Sequence, residues 1–298
     1  MDKLPVSVLL LARDEAPRLA DLLPRLGFAR EVVVVVDAAT RDATRDVAAR
    51  HGARVCERVL DGFGPQRAYG LAQTREPWVL WLDADERLDA RAVAALGDAV
   101  RGGGGAAGFR FERVTWFLGR RIRYCGWRGE KVLRLFRRES ASFDEAPVHE
   151  QVRITGEVRD LGGVIEHRSY ERWEDCRAKL VRYAAAGAER MRREGKSATA
   201  LDVLVRPPLR FFRMYVLQAG FLDGAHGLVV CALAAAQVLL KYAQVWAAPR
   251  AHAQVPRSNA QAPRGEAEAP RAEAEAQGAK AEARRAEAEA PGPPEAWW

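Results

Sequence analysis

Glu31-Val32-Val33-Val34-Val35-Val36-Asp37 is the stretch that decides the fold. Five consecutive β-branched residues disfavour a helix, where each loses side-chain freedom against the preceding turn. The run is also too apolar for a strand with one wet face, so it reads as a parallel strand covered on both sides. Val6–Ala12 before it, and Arg54–Arg58 and Trp78–Asp83 after it, read as further strands. Helical stretches separate them. Asp14 is expected to cap a helix with Pro17 in its first turn and Leu19, Leu22, Leu23 and Leu26 on one face. Others run over about 42–51 and 64–74, and from Ala90 to Arg101, ending at Gly102–Gly105. This alternation implies right-handed βαβ units: a Rossmann-like α/β fold, its mostly parallel sheet flanked by helices. After Gly105 the rhythm changes. Gly108–Glu112 and Lys131–Arg137 read as strands around an aromatic, Arg-rich insertion, and Glu171 to about Glu194 reads as a long helix.

The chain has 298 residues, 48% hydrophobic and 29% charged, which leaves room for one large domain or two ordinary ones. That composition excludes a disulfide mini-protein, a collagen-like fibre and a wholly disordered chain. The net charge of +7 divides unevenly: residues 1–248 carry +8 and residues 249–298 carry −1. A basic body suits a polyanionic partner, whether nucleic acid, nucleotide or anionic membrane. Nucleic acid is the weakest of these, since there is neither zinc-finger spacing nor an RRM aromatic signature. Cys56, Cys125, Cys176 and Cys231 form no CxxC pair and read as reduced thiols. No signal peptide is expected from the short apolar run at Val6–Ala12.

The carboxyl-terminal part reads differently. Residues 201–248 are more apolar, with a break expected at Pro207-Pro208. The apolar run Gly227–Leu240 would span only ~21 Å as a helix, short of the ~20 residues needed to cross a bilayer. Arg and aromatic residues alternate in Arg206–Arg213, as in an interfacial element. The expectation is peripheral attachment to the cytoplasmic face of the inner membrane, with a core helix pair as the other reading. The Ala/Glu/Pro/Arg-rich tail, 249–298, is expected to be disordered. The organisation is then an α/β domain over 1–200, a membrane-associating helical segment over 201–248, and the tail.

The chemistry concentrates at strand ends. Trp78-Val-Leu-Trp-Leu runs directly into Asp83-Ala84-Asp85. Extended backbone sends alternate side chains to one side, so the two carboxylates converge at the carboxyl end of a parallel strand, where open α/β sheets bind ligands. Mg2+ or Mn2+ takes hard oxygen ligands of this kind together with substrate phosphates. The same pair also suits a strand-to-helix turn, where acidic residues favour a helix start. Asp37 ends the valine strand and is placed to accept hydrogen bonds from a nucleobase or ribose, while Asp42 and Thr44 suit the start of the following helix. Asp14 and Glu15 end the first strand, so three strand ends bring carboxylates to one rim.

The ordered set VSVLLLARDE, VVVVVDAATRDAT, GFGPQRAYGLA and WVLWLDADE resembles family 2 glycosyltransferases of the GT-A fold. Phe117-Leu-Gly-Arg, Gly126-Trp127, Arg134-Leu-Phe-Arg-Arg138, Pro147-Val-His149-Glu150 and His167-Arg-Ser-Tyr170 resemble the branch acting on the lipopolysaccharide inner core, of the β-1,4-glucosyltransferase type. The resemblance covers roughly residues 4–248. It implies that Asp14, Glu15 and Asp37 hold the nucleoside of a nucleotide-sugar donor, that Asp83 and Asp85 bind the metal–diphosphate, and that Arg67 lies near the phosphates. It also implies inversion at the anomeric carbon, with Glu150 as base and Asp144 as second choice, and UDP-glucose as donor. His149 and His167 are candidates for the metal shell or for a phosphate, or are structural. Arg134 and Arg137 fit acceptor phosphate or solvent equally, and Trp127 fits packing or sugar stacking. The acceptor would be an inner-core or other lipid-linked saccharide. Alternatives are a transferase making a polyprenyl-phosphate sugar or another surface polysaccharide, and a non-catalytic nucleotide-sugar-binding protein. The chain departs from the family at Ala38-Ala39, Ala68 and Glu130, where a Ser/Gly-rich turn, Asn and Asp are usual.

Overall fold

The computed structural model describes residues 2–102, 104–143 and 152–253, and the contacts divide the chain into two units at Arg172/Trp173. The first hundred residues form strands β1 (Leu4–Ala12), β2 (Ala29–Asp37), β3 (Arg54–Arg58), β4 (Trp78–Asp83) and β5 (Glu86–Leu88), with helices α1 (Ala16–Leu22), α2 (Thr44–Arg50), α3 (Phe63–Gln73) and α4 (Ala90–Gly102). The expected alternation is present in order. β6 (Gly108–Phe117), β7 (Arg120–Arg121), β8 (Lys131–Arg137), β9 (Ala141–Phe143), β10 (Val152–Ile154) and β11 (Val158–Tyr170) complete the first unit.

The main sheet runs β3-β2-β1-β4-β8-β6-β11-β5, with β7 paired to β6. β3, β2, β1 and β4 are parallel, as the sequence pattern requires. β8 enters antiparallel between β4 and β6, and β11 lies parallel to β6 and antiparallel to β5, so this half is mixed. β9 and β10 form a separate two-stranded sheet.

The pleat divides the valine run between two cores. Val34 and Val36 join Val8, Leu10, Leu80 and Leu82, packing with Leu19, Leu22, Val47, Leu96 and Val100 of α1, α2 and α4. Val33 and Val35 join Leu9, Val79 and Trp81 on the other face, against Ala68 and Leu71 of α3 and Phe143 of β9. Burial on both faces is why the run could be apolar without alternation.

One local expectation is corrected, and one strand was not foreseen. Asp14 does not cap α1: it sits in the left-handed region at φ 53°, and its carboxylate accepts from the Arg41 and Asp42 backbone N–H groups at 2.7 and 3.3 Å. Asp42 instead takes the Ala16 N–H of α1 at 3.0 Å, and also the Thr44 N–H that opens α2 at 2.9 Å. The long strand β11 was not legible in the sequence, because Gly162-Gly163 interrupt its pattern and charged residues occupy much of the rest. Gly163 has φ +84°, and a Cβ there would lie 2.2 Å from the Ala92 backbone nitrogen. The glycine lets α4 close directly onto the strand.

The second unit holds α5 (Trp173–Arg193), α6 (Ala200–Phe212) and α7 (Gly224–Ala253), with α7 packed against both α5 and α6. A reciprocal capping box between Thr199 and Asp202 starts α6. The expected break at Pro207-Pro208 does not occur; both prolines lie inside α6, where packing against α7 offsets the two lost backbone N–H donors. A π-helical turn over Arg213–Leu217 follows. The apolar run Gly227–Leu240 belongs to the 30-residue α7, so the argument that it is too short to cross a membrane does not hold. By length and composition, one helical stretch, Gly220–Ala248, is sufficient among the described residues. The tail expected to be disordered lies, from residue 254, outside the described residues.

The packing at Gly163 yields a paired test. Gly163→Ala should destabilise the protein by about 2–4 kcal/mol, through left-handed strain and displacement of α4. Gly162→Ala, whose Cβ would meet Arg91 at an ordinary 3.6 Å, should lie near wild type. Denaturant midpoints measure both, and equal effects would exclude the close approach as the cause.

Candidate functional site

The site is built where β1, β2 and β4 end. Asp37, at the last position of β2, is only 4% exposed. Its Oδ1 accepts from the Ala39 and Leu60 N–H groups at 3.1 and 3.4 Å, and its Oδ2 lies 3.2 Å from Arg13 Nη1. Arg45 donates to the carbonyls of Asp37, Ala38 and Thr40, holding the loop after β2. Glu15 pairs with Arg18 at 2.8 Å, and its backbone N–H donates to Thr44 Oγ1 at 2.8 Å. Asp14 and Asp42 thereby tie the loops after β1 and β2 to each other.

At the end of β4 the two aspartates have different surroundings. Asp83 follows Trp81 on one face of the strand, and its Oδ2 receives Arg134 Nη2 at 2.8 Å. The same nitrogen donates to Glu86 Oε1 at 2.8 Å, while Glu86 Oε2 accepts the Asp83 N–H at 3.2 Å. Glu86 is fully buried, and burial pushes its carboxyl above the ordinary value despite Arg134. Burial alone would lower the pKa of Arg134, but Glu86 and Asp83 outweigh it and hold the guanidinium charged. Arg134 also lies over the Trp81 ring at 4.4 Å, and Arg67 lies over the same ring at 4.3 Å. Two cations therefore share one indole beside Asp83.

Asp85 belongs to a second group. β11 pairs with β5 so that His167 stands opposite Glu86, and Arg168 N–H donates to the Asp85 carbonyl at 2.8 Å. Ser169 Oγ donates to Asp85 Oδ2 and meets His167 Nε2, which lies 3.6 Å from that carboxylate oxygen. The turn carrying both aspartates is clamped from below by the nearly buried Arg87. It donates to the carbonyls of Ala84 and Glu86 at 2.7 and 2.9 Å, to Arg18 O at 3.1 Å and to Asp21 Oδ2 at 2.8 Å. Hydrogen bonds from Arg25 and Arg87 hold the Asp21 carboxyl below its ordinary value.

Among the described residues no three His, Cys, Asp or Glu side chains form a metal-holding group. The carboxylate oxygens suit a Mg2+ or Mn2+ ion whose remaining ligands come from substrate oxygens and water, while the imidazole of His167 is a softer donor that Mn2+ accepts more readily than Mg2+. Of the sequence candidates, Asp14, Glu15, Asp37, Arg67, Asp83, Asp85 and His167 lie at or beside these strand ends. Asp144, His149 and Glu150 lie outside the described residues. Arg134, left between acceptor contact and solvent, is a buried bridge, and Arg137 lies over Trp78 at 4.7 Å. Trp127 is 9% exposed and stacks on Tyr170 at 6.3 Å, which is packing. Glu86, Arg87 and Ser169 were missed. The only sequence signal was their adjacency to Asp85 and His167, because their roles depend on chain brought from elsewhere.

Residues 7–140 match the family model described as glycosyl transferase family 2. The lipopolysaccharide core biosynthesis glycosyltransferase LpsC of Rhizobium meliloti is 25% identical over 256 residues, covering 81% of this chain and 94% of that protein. The uncharacterized glycosyltransferase RP128 of Rickettsia prowazekii is 23% identical over 244 residues, covering 75% of this chain and 80% of its own length. Among solved structures, the mannosyltransferase PcManGT from Pyrobaculum calidifontis, in complex with GDP-Man and Mn2+, has a TM-score of 0.45 at 17% identity. That match covers 96% of this chain and 83% of the other.

The buried bridge has a measurable consequence. Arg134→Met leaves Glu86 without its cation and should cost about 3–5 kcal/mol. Adding Glu86→Leu removes the stranded carboxyl and should restore most of the loss. Thermal unfolding of the two single variants and the double variant closes the cycle; additive losses would show that the two groups are not coupled.

Proposed function

We propose that this chain, which carries a family 2 glycosyltransferase domain over residues 7–140, transfers a sugar from a nucleotide-sugar donor to a lipopolysaccharide inner-core or other lipid-linked saccharide acceptor. The observation that carries this reading is the Asp83-Ala84-Asp85 turn at the carboxyl end of a parallel strand, clamped by Arg134 and Arg87 and faced by His167 and Ser169. LpsC, with its named role in lipopolysaccharide core biosynthesis, supports the acceptor class.

In this reading Asp14, Glu15 and Asp37 receive the nucleoside. Asp37 is already aimed by backbone N–H groups and Arg13, so little reorganisation is needed on binding. The diphosphate lies toward Asp83, Asp85 and Arg67. Asp85, with Asp83 and His167 near it, would offer ligands to a Mg2+ or Mn2+ ion whose shell is completed by diphosphate oxygens and water, and the ion would supply charge neutralisation for the departing diphosphate. Arg67, kept over Trp81 beside Arg134, adds a fixed positive charge where negative charge develops. The acceptor hydroxyl attacks the anomeric carbon from the face opposite the diphosphate. The new C–O bond forms as the bond to the diphosphate breaks, and configuration inverts. The hydroxyl proton passes to a carboxylate, for which Glu150 is the first assignment and Asp144 the second, both resting on sequence alone. Glucose from UDP-glucose is the first donor to test, and the cytoplasmic face of the inner membrane is where a lipid-linked acceptor is presented.

A panel of nucleotide sugars, with and without Mn2+, should single out one donor by thermal shift, since stabilisation follows affinity. With that donor, Asp85→Asn should reduce transfer to a lipopolysaccharide acceptor roughly 100-fold while leaving the melting temperature within a few degrees. Undiminished transfer would remove the aspartate turn from the mechanism.

A further inference from the structure

The helical unit that begins at Trp173 exposes more large apolar surface than a water-facing helix normally does. On α6 and the turns after it, Leu201, Leu204, Leu209, Phe212, Leu217 and Leu222 are each between 52% and 71% exposed. The first four recur at helical spacing on one face, whereas Pro207 and Met214 are buried on the opposite side. A contiguous patch of this kind marks an interaction site.

What covers the patch is indicated by the charges along its edge. Arg206 and Arg213 follow one flank of the stripe, Arg206 paired with Asp202 at 2.6 Å, whereas Arg210 is turned toward the buried side of the helix, where burial lowers its pKa. Arg206 and Lys241, from α6 and α7, approach the same Tyr242 ring at 4.8 and 4.9 Å. Burial, and the charges of Arg206, Arg210, Arg190 and Lys196, hold the Lys241 ammonium below its ordinary value, so cations from three segments converge there. An apolar stripe flanked by cations is complementary to the boundary of an anionic bilayer, where acyl chains meet phosphate headgroups.

α7 is long and apolar enough to cross a bilayer, yet its packing opposes a crossing. α5 lies along it, and its end carries Glu189, Arg190, Arg192 and Arg193 in exposed ion pairs, Arg190 with Glu194 just beyond the helix, which would be drawn into hydrocarbon with it. We propose that α6 and the turn after it lie in the plane of an anionic membrane surface, with the leucine–phenylalanine stripe among the acyl chains and the arginine flank on lipid phosphates. This names the membrane partner of the proposed enzyme, but it rests on the helical unit alone and its readout does not involve sugar transfer.

Co-sedimentation of the full chain with phosphatidylcholine vesicles, with and without 30% phosphatidylglycerol, tests it. Binding should favour the anionic vesicles at least tenfold and weaken in about 0.5 M salt. Leu204→Glu/Leu209→Glu, at two exposed positions, should reduce the partition coefficient at least tenfold without lowering the melting temperature or the thermal shift by donor. Unchanged binding of that variant overturns the proposal, as does equal, salt-insensitive binding to both vesicle types. A concentration-dependent dimer that the double substitution abolishes, without vesicle binding by either protein, assigns the patch to a second copy of the chain and also overturns it.

Discussion

A single buried guanidinium organises the carboxylate rim. Arg134 reaches from β8 to Asp83 and to the fully buried Glu86, and its charge is what allows a carboxyl to sit at zero exposure beneath the turn. Neither partner could be buried alone, since an uncompensated charge at that depth costs several kcal/mol. The bridge exists only because β8 enters antiparallel beside β4 and brings a residue some fifty positions away against the end of that strand. The reversal that makes the sheet mixed is therefore also what delivers the cation.

The two aspartates of the turn are consequently not equivalent. Asp83 is drawn toward Arg134 and the Trp81 platform, whereas Asp85 is engaged by Ser169 and faces His167 from β11. Arg87 fixes the backbone between them through four acceptors, two in the turn at Ala84–Glu86 and two in α1. A ligand arriving at this rim meets side chains whose positions are already determined, which is the condition for electrostatic stabilisation without reorganisation. The helical unit follows another logic: its charged groups lie along α5 and one flank of α6, and its exposed apolar groups lie together on the α6 stripe and the turns after it.

The parallel half of the fold was legible because its signal is local. Val32–Val36, Val6–Ala12 and Trp78–Leu82 are apolar whichever face they cover, and the intervening helices carry their own periodicity. The positions of Asp37 and Asp83 at strand ends were legible for the same reason, since each closes an apolar run. β11 was not: its glycines are required by the close approach of α4, a demand that nothing within the strand announces. Pro207-Pro208 misled in the opposite direction, because local propensity says break while packing on α7 keeps the helix.

The sequence by itself determined the α/β class, the order of the first nine elements but for the short β5, and the strand ends that carry carboxylates, because burial pattern and chain reversal are written in adjacent residues. Only the tertiary structure decided that Arg134 is a bridge, that Glu86 is buried beneath Asp83, that Asp14 and Asp42 join two loops, and that Ser169 links Asp85 to His167. Each of those pairings joins residues from separate strands or loops, where electrostatic energy depends on distance and burial. Those two quantities come into existence only when the sheet closes.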